Sequence, residues 1–558
     1  MDLLKKKEAI EQEKKKVKLA RNAWALVMEE LYFPPLEEPE YIFDYSLKKG
    51  FFIDPNNKWN ITMNLANIPL FINDQDYINY FKVVMLHEAY HYLIIPYDGL
   101  TNARLLKAAA KHVPQIQAPI VVNFFSDLII DTKLRNTHRL LIEWEFRHTF
   151  NNVLKVNNGK VSNFSNLLFK TYQKLWDLDF NLDIEQNLEE TANKISKVIK
   201  KDFENESIWE QKITRISFYL KDIINTTFIF KSSKRKTNMT NLSIEYPLDI
   251  LDIMGNPFEI KNSDRLKNNN EDELRQKAEE LAKDSTFSEF YGSASQAGLI
   301  VDNDPLATWY RGLAKDLIKI EIFAQKPRGV NPIYPQKWKL GDPIGDLDVP
   351  LTLSSNPIII PNITTKKWIR KDLIGLNPSK SIPDLLIVLD SSGSMKWKYN
   401  TRSDHSRGAY HSAVIASFAA LHHALSKGAR CNVINFAGSI STSSWTKDYS
   451  KVETEILHYQ GSGTILPLNA LSFACDIARE KVLIFIISDF GISNWIKAKE
   501  FLVSLVSRGH IVVCLFIGSH NKIHNKFKDM INVLDFYAIE HHRDIVDLVI
   551  DRVKKYYN

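Results

Sequence analysis

Several features are scarce in this sequence of 558 residues, and each absence narrows the class of protein. The three cysteines form no C-x-x-C pair, so the sequence offers neither a disulfide framework nor a thiolate zinc site. No apolar run approaches the roughly 18 residues that a membrane-spanning helix needs. The N-terminal segment is charged where a secretory signal would be apolar. We therefore expect a cytoplasmic protein that does not contact a membrane.

A strong charge imbalance is also missing. The 72 basic and 66 acidic residues leave a net charge of +6, which is too mild to argue for nucleic acid. Glu8, Glu11 and Glu13 interrupt the basic run KKKEAIEQEKKKVK, which favours a solvated helix face. The sequence contains no G-x-x-x-x-G-K-[ST] loop, so any ATPase that acts with it must be a separate chain. We expect no nucleic-acid partner.

Composition and periodicity divide the chain into three regions. Residues 1–150 contain a strand near Trp59 and two long helices, predicted at about 74–95 and 115–136. The middle region, residues 151–382, reads as mostly helical. It holds a polar segment of about Lys261 to Lys283, expected to be a solvated linker leading into a helix, and a short hairpin near its end.

From residue 383 to 558, short apolar runs alternate with helical stretches. DLLIVLD, CNVINFA, VLIFIIS and IVVCLFIG are typical of buried strands, and HSAVIASFAALHHALSKG is typical of a helix between them. This alternation predicts a parallel sheet covered on both faces. The fold class is therefore α/β: a C-terminal doubly wound, mostly parallel, Rossmann-like sheet follows a mainly helical N-terminal domain and a helical middle region.

Oxygen-bearing side chains follow the ends of these strands. Asp390 ends the first strand, and Ser392 and Ser394 lie two and four residues further on. We assign Thr464, in the loop GSGT, to another strand edge, and Asp489 ends the strand VLIFIIS. Ligands bind beyond the carboxyl ends of the strands in a doubly wound sheet, and hard oxygen donors suit Mg²⁺ or Mn²⁺. The sequence predicts one divalent cation among these five residues.

The order of the D-x-S-x-S, Thr and Asp elements over residues 383–558 resembles the von Willebrand factor A (VWA) family and its metal-ion-dependent adhesion site. The resemblance implies that the ion binds a carboxylate of a partner protein. It implies adhesion and not catalysis, since no nucleophile or base accompanies the motif. The alternative is a VWA-like fold whose site is inactive.

The helix predicted at 74–95 carries the sequence His87-Glu88-Ala89-Tyr90-His91. Side chains four residues apart share one helix face, so both imidazoles can bind one zinc ion. Glu88 is placed to polarise a water molecule, which makes it the candidate catalytic residue. The flanks VVML and YLII are apolar, and buried polar groups are costly unless they have partners. The pattern predicts a zinc site.

The next long helix is expected to supply the third zinc ligand. Ile94 and Tyr97 stand where a metzincin has Gly and His, so that class is excluded. Asn123, Asp127 and Asp131 lie on one face of an apolar helix. A thermolysin-like helix would have Glu at position 123, so we assign the ligand to Asp127, with Asn123 and Asp131 supporting it. The alternatives are Asp131, Glu143 and Glu145.

Over about residues 20 to 150, these features resemble the metallopeptidase-like domain that precedes VWA-like domains in some prokaryotic proteins. That resemblance implies a zinc peptidase that acts beside a MoxR-type AAA+ ATPase in protein assembly or remodelling. Two alternatives stay open. The histidines could be core residues bonded to Asp127 and Asp131 without metal. The chain could also be a non-catalytic ATPase-associated adaptor or chelatase-like VWA subunit, whose N-terminal metal is structural or absent.

Overall fold

The computed structural model describes residues 2–46, 50–54, 60–66, 68–156, 161–178, 182, 184–234, 240–245, 271–300, 304–322, 330–355, 358–372, 383–399, 408–478, 481–489, 491–517, 534–539 and 544–557. These residues form two compact units. The first unit ends at Gly312, and the second begins at Leu313. None of the described helices combines the length and the apolar character needed to cross a membrane.

Helices dominate the first unit. They are α1 (Asp2–Glu30), α2 (Asp74–Leu93), α3 (Gly99–Ala109), α4 (Ala118–Val156), α5 (Asn163–Trp176), α6 (Gln186–Lys200), α7 (Trp209–Thr227), α8 (Glu271–Ala282), α9 (Phe287–Gln296) and α10 (Pro305–Ile322), within which the division between the units falls. Strands β1 (Glu40–Ile42), β2 (Phe51–Asp54) and β3 (Asn60–Asn64) form a small sheet in the order β1-β3-β2. Strands β4 (Ile229–Lys234) and β5 (Thr240–Glu245) form an antiparallel pair.

Helix α2 has a clear N-terminal signal. Asn73 caps it, because its side chain accepts a hydrogen bond from the backbone N–H of Asp76. Asp74 and Asp76 lie in the first turn, where negative charge is favoured. The helix ends at Leu93, three residues before Pro96. It packs between α1 and α4, which holds its histidines against the next long helix.

Helix α4 is longer than the sequence suggested. We expected it to end near residue 136, but it continues to Val156, with a kink at His138 (φ −128°, ψ 42°). Residues 120–156 contain neither proline nor glycine, so nothing in the sequence ends the helix. The break in local geometry therefore bends the helix instead of terminating it.

The structure refines two expectations for the middle region. The polar segment leads into a helix as expected, but that helix begins within the segment, because residues 271–282 form α8 and bury Ala278, Leu281 and Ala282. Residues 261–270 lie outside the described part of the chain. The hairpin is also not short. Strands β6 (Val330–Lys337) and β7 (Lys366–Asp372) pair antiparallel, but their connection contains helix α11 (Val349–Ser355).

The C-terminal sheet confirms the predicted mostly parallel sheet. Its six strands are β8 (Asp384–Asp390), β9 (Cys431–Phe436), β10 (Ile440–Thr442), β11 (Val482–Ser488), β12 (Ile511–Ile517) and β13 (Asp535–Ile539). Their order is β10-β9-β8-β11-β12-β13, and every pairing is parallel except that of β10 with β9. All residues of β8 and β11 are buried, as expected for central strands of a sheet with both faces covered.

Helices lie between the strands of this sheet along the chain and after its last strand. They are α12 (Ala409–Ser426), α13 (Tyr449–Ile456), α14 (Leu468–Asp476), α15 (Trp495–Ser507) and α16 (Asp544–Tyr557). Leu386, Val388 and Ile486 on the strands pack in one buried apolar cluster with Leu471 of α14 and Leu502 of α15. Because β8 and β11 are adjacent and parallel, their carboxyl ends, at Asp390 and Ser488, lie at the same edge of the sheet.

Candidate metal centres

Three side chains of the first unit bring potential metal-binding atoms together. One such atom from each of His87, His91 and Asp127 lies within 4.8 Å of the other two. Asp127 Oδ1 is 3.6 Å from Nε2 of His87 and 3.6 Å from Nε2 of His91. The histidines share one face of α2 because they are four residues apart, and α4 packs against α2. A possible three-residue metal site therefore exists.

These distances suit a shared cation better than direct hydrogen bonds. Hydrogen bonds between nitrogen and oxygen span about 2.7–3.2 Å. Nitrogen and oxygen ligands lie about 2.0–2.1 Å from zinc, which sets two tetrahedral ligands roughly 3.4 Å apart. Asp127 Oδ1 is buried and has no hydrogen-bond partner among the described residues. Leaving a buried carboxylate oxygen unpaired is costly, and a cation would satisfy it, so the three residues fit zinc.

The remaining ring nitrogens have partners of their own. His87 Nδ1 lies 2.7 Å from Asp131 Oδ1, and His91 Nδ1 lies 3.0 Å from the carbonyl oxygen of Ile95. An imidazole that donates from Nδ1 keeps a lone pair on Nε2 for a metal. Burial lowers the pKa of His91 to about 3, which keeps that ring neutral. Both histidines thus present Nε2 to Asp127.

Asp131 and Asn123 lie beside these three residues, and each is hydrogen-bonded to one of them. Asp131 bonds to His87, as described above, while Asn123 Nδ2 donates to Asp127 Oδ2 at 3.2 Å. The structure thus brings Asp127 to both Nε2 atoms and Asp131 to the far side of one ring. The sequence alone left Asp131 open as the third ligand. Metal binding by Asp127 stays a prediction.

Glu88 is buried beside the histidines. Burial raises its pKa to about 7. A protonated His87 ring counteracts this rise, and the negative charges of Asp127 and Asp131 add to it. Burial also raises the pKa of Asp127 to about 6. A bound cation would instead lower the pKa of both carboxyl groups, because it favours their charged forms.

The two glutamates considered as alternative ligands have other partners. Glu143 accepts hydrogen bonds from Arg135 and Arg139 at 2.8 and 3.0 Å. Glu145 accepts a hydrogen bond from Thr149 Oγ1 at 2.5 Å, and burial raises its pKa to about 7. Neither glutamate belongs to the group of three donors found among the described residues.

Sequence reasoning missed Tyr172. This residue lies on α5, and its hydroxyl donates to Asp131 Oδ2 at 2.5 Å. The side chain of Tyr172 is buried, at 3% exposed. A signal was available, since the hydroxyl of a buried tyrosine usually has a hydrogen-bond partner. The sequence could not say which partner it would have.

In the second unit, Asp390 is held at the end of β8. Its Oδ1 accepts a hydrogen bond from the backbone N–H of Ser392 at 2.9 Å, and its Oδ2 accepts one from the hydroxyl of Ser488. Ser392 Oγ lies 3.1 Å from Ser394 Oγ. Burial, with a smaller contribution from the charge of Asp489, raises the pKa of Asp390. A carboxylate and two hydroxyls therefore lie in one short loop.

The loop that contains Thr464 reaches this place by a route we did not expect. It does not leave a strand edge, because it follows helix α13. Backbone hydrogen bonds join it to the Asp390 loop, from Gly461 N to Ser391 O at 2.8 Å and from Gly393 N to Ser462 O at 3.0 Å. Gly393 allows this approach, since a Cβ there would lie 3.1 Å from Gly461 O.

Further contacts tie Thr464 and Asp489 to the same edge of the sheet. The backbone N–H of Ser493 donates to Thr464 O at 3.0 Å, and Asp489 directly follows β11. Two supporting residues were missed from the sequence. They are Ser488, which donates to Asp390, and Tyr459, whose hydroxyl donates to the carbonyl of Ser392 at 3.2 Å. A serine ending an apolar strand was a visible signal for the first.

No family model and no curated protein matches this sequence. Among solved structures, the chain is similar to an aerotolerance-related membrane protein from Bacteroides fragilis, at 17% identity, with 31% of this chain and 99% of that chain covered and a TM-score of 0.24. It is also similar to proximal thread matrix protein 1 from the mussel byssus, at 12% identity, with 31% and 47% covered and a TM-score of 0.24.

A third similar structure is the pilus adhesin SpaC from Lactobacillus rhamnosus GG, at 12% identity, with 32% of this chain and 31% of that chain covered and a TM-score of 0.26. The chain thus spans less than half the length of the byssus and adhesin structures that it matches.

Proposed function

We propose that this chain is a cytoplasmic VWA-type protein with a zinc peptidase centre in its first unit. In this proposal it acts beside a MoxR-type AAA+ ATPase, a separate chain, in the assembly or remodelling of other proteins. One observation supports the zinc centre on which the enzymatic part depends. The buried Asp127 Oδ1 has no hydrogen-bond partner among the described residues and faces Nε2 of His87 and of His91 at the same distance, 3.6 Å.

In this proposal, His87, His91 and Asp127 hold the zinc ion. When bound, zinc supplies Lewis acidity, which polarises a peptide carbonyl and makes water more acidic. Glu88 follows His87 on α2 and acts as the general base and acid: it accepts a proton from the attacking water and returns it to the departing amine. Asp131 orients His87 through Nδ1 and keeps Nε2 free.

The second part of the proposal is a protein-binding site in the second unit. Asp390, Ser392, Ser394, Thr464 and Asp489 hold Mg²⁺ or Mn²⁺ there, and a carboxylate of a partner protein completes the shell. The hydrogen-bonded loops at one edge of a mostly parallel sheet support this assignment. Three of the five groups are neutral hydroxyls, so the ion alone is expected to bind weakly.

The enzymatic part is tested with purified full-length protein and its Glu88→Gln variant. We expect about one zinc per chain in both, measured in excess Mg²⁺ with the His87→Ala variant as the zinc-free control. We expect the wild type alone to cleave fluorescein-labelled casein, with zinc required for cleavage. Equal cleavage by Glu88→Gln would contradict the catalytic role of Glu88.

The same experiment separates the second candidate function, a non-catalytic adaptor of an ATPase or a chelatase-like VWA subunit. The loop around Asp390 favours that candidate, because it offers ion ligands but no nucleophile. A wild-type protein that binds zinc without cleaving casein or a captured partner would support it. If the wild-type protein bound no zinc, the peptidase proposal would fail and only the proposed protein-binding site of the second unit would remain.

A further inference from the structure

Tyr172 connects helix α5 to the proposed zinc centre through a single carboxylate. Its hydroxyl donates to Oδ2 of Asp131 at 2.5 Å, and Oδ1 of the same carboxylate lies 2.7 Å from Nδ1 of His87. Each oxygen of Asp131 therefore has its own partner. One partner belongs to α5 and the other is a proposed zinc ligand on α2.

Asp131 needs such a second partner to act as a fixed acceptor. Its side chain is 20% exposed, so packing does not fully enclose the carboxylate. A carboxylate anchored at one oxygen has fewer orientations, which directs the other oxygen towards His87. The His87 ring in turn must keep its Nδ1 proton directed at Asp131 so that Nε2 can face Asp127.

The position of α5 is set independently of this bond. Trp176, one turn after Tyr172, donates from Nε1 to Thr132 Oγ1 at 3.2 Å, and its carbonyl accepts a hydrogen bond from Arg135 Nη2 at 2.8 Å. The ring of Trp176 also packs against that of Phe146 on α4, with centroids 5.2 Å apart. These contacts hold α5 against α4 without touching His87 or Asp131. The Trp176 ring also packs against that of Tyr172, with centroids 4.6 Å apart, so Trp176→Phe, which keeps an aromatic ring there, is the matched control.

We propose that Tyr172 is a positioning residue for the zinc centre. It fixes the Asp131 carboxylate so that His87 presents Nε2 to the metal. This inference rests on the proposed zinc site and adds a residue outside the region covered by the metallopeptidase resemblance. Because coupling is reciprocal, zinc binding also strengthens the attachment of α5.

The test compares the zinc affinity of full-length variants by competition with a chelating dye, in excess Mg²⁺ to occupy the C-terminal site. We expect Tyr172→Phe to weaken zinc binding by about tenfold or more, the usual range for a residue that supports a metal ligand. Trp176→Phe should lower the thermal midpoint while leaving zinc affinity unchanged. Added zinc should slow amide hydrogen exchange in residues 163–176 of the wild type but not of Tyr172→Phe.

A double-mutant cycle provides the readout that a purely structural role would not move. In the Asp131→Asn background, Tyr172→Phe should cause no further loss of zinc affinity. Unchanged affinity in Tyr172→Phe, an equal loss in Trp176→Phe, or fully additive losses would each overturn the inference while leaving the zinc centre intact. A wild-type protein that binds no zinc would overturn the proposed centre together with this inference.

Discussion

His87 and Asp131 are joined by a contact of 2.7 Å between Nδ1 and Oδ1, on the opposite side of the imidazole ring from Asp127. This arrangement gives two aspartates of one helix different tasks, although they lie only four residues apart. Asp127 supplies an oxygen to the proposed metal, whereas Asp131 orients a ligand. The pair can therefore be tested with matched amide substitutions.

We predict that Asp127→Asn abolishes stoichiometric zinc binding, because it replaces the proposed anionic ligand by a neutral amide. Asp131→Asn should retain zinc with an affinity lowered by about 10- to 100-fold, since it affects only the orientation of His87. Metal analysis after dialysis, followed by chelator competition, measures both effects. If Asp127→Asn bound one zinc per chain and Asp131→Asn bound none, Asp131 would be the ligand and Asp127 the orienting residue.

In the second unit we predict that Ser394→Ala weakens Mn²⁺ binding and capture of a carboxylate-bearing partner. Ser391→Ala is the matched control in the same loop, because the Ser391 hydroxyl donates to the carbonyl of Phe436 and not towards Ser392 and Ser394. Electron paramagnetic resonance of bound Mn²⁺ distinguishes them, with Asp390→Ala as the fully deficient reference. Equal binding by Ser394→Ala and Ser391→Ala would remove Ser394 from the proposed ligands.

A stability prediction concerns the close approach of α8 and α10. A Cβ added at Gly312 would lie 2.3 Å from the carbonyl oxygen of Glu279 and 2.6 Å from Cβ of Ala282, so the helices would have to move apart. Gly312→Ala should therefore destabilise the protein by about 1–3 kcal/mol, the usual cost of overpacking. A Cβ at Gly345 meets no atom within 4 Å, so Gly345→Ala serves as the control in denaturant unfolding. Indistinguishable midpoints for the two variants would refute the close contact.

The sequence predicted the parallel sheet and the two long helices α2 and α4 because both depend on strong periodic patterns. DLLIVLD and VLIFIIS are uninterrupted apolar runs, and they became β8 and β11. The patterns failed where tertiary contacts decide. No proline or glycine marks the kink at His138, so the sequence does not reveal it. The Thr464 loop reaches the sheet edge through backbone hydrogen bonds to residues far away in the chain. The partner of Tyr172 depends on how α5 packs, which local periodicity cannot supply.

The last prediction follows from the part that α5 plays. The proposed zinc ligands all lie within residues 1–150, but Tyr172 and the α5 rings that pack on α4 lie beyond them. Phe146 and Phe150 of α4 pack against Phe169 of α5, with ring centroids 5.5 and 4.8 Å apart. A fragment ending at Val156 would therefore expose this aromatic surface and lose the anchor of Asp131.

We predict that a fragment of residues 1–322, which retains α1 to α10, folds and binds zinc with the affinity of the full chain. The fragment 1–156 should bind zinc more weakly and show greater exposure of apolar surface. Circular dichroism, binding of a hydrophobic dye and chelator competition on both fragments test this. Loss of zinc from a folded 1–322 fragment would mean that a residue of the second unit completes the centre. Full affinity in the 1–156 fragment would instead mean that the proposed centre needs nothing from α5, because Asp127, His87 and His91 would then suffice alone.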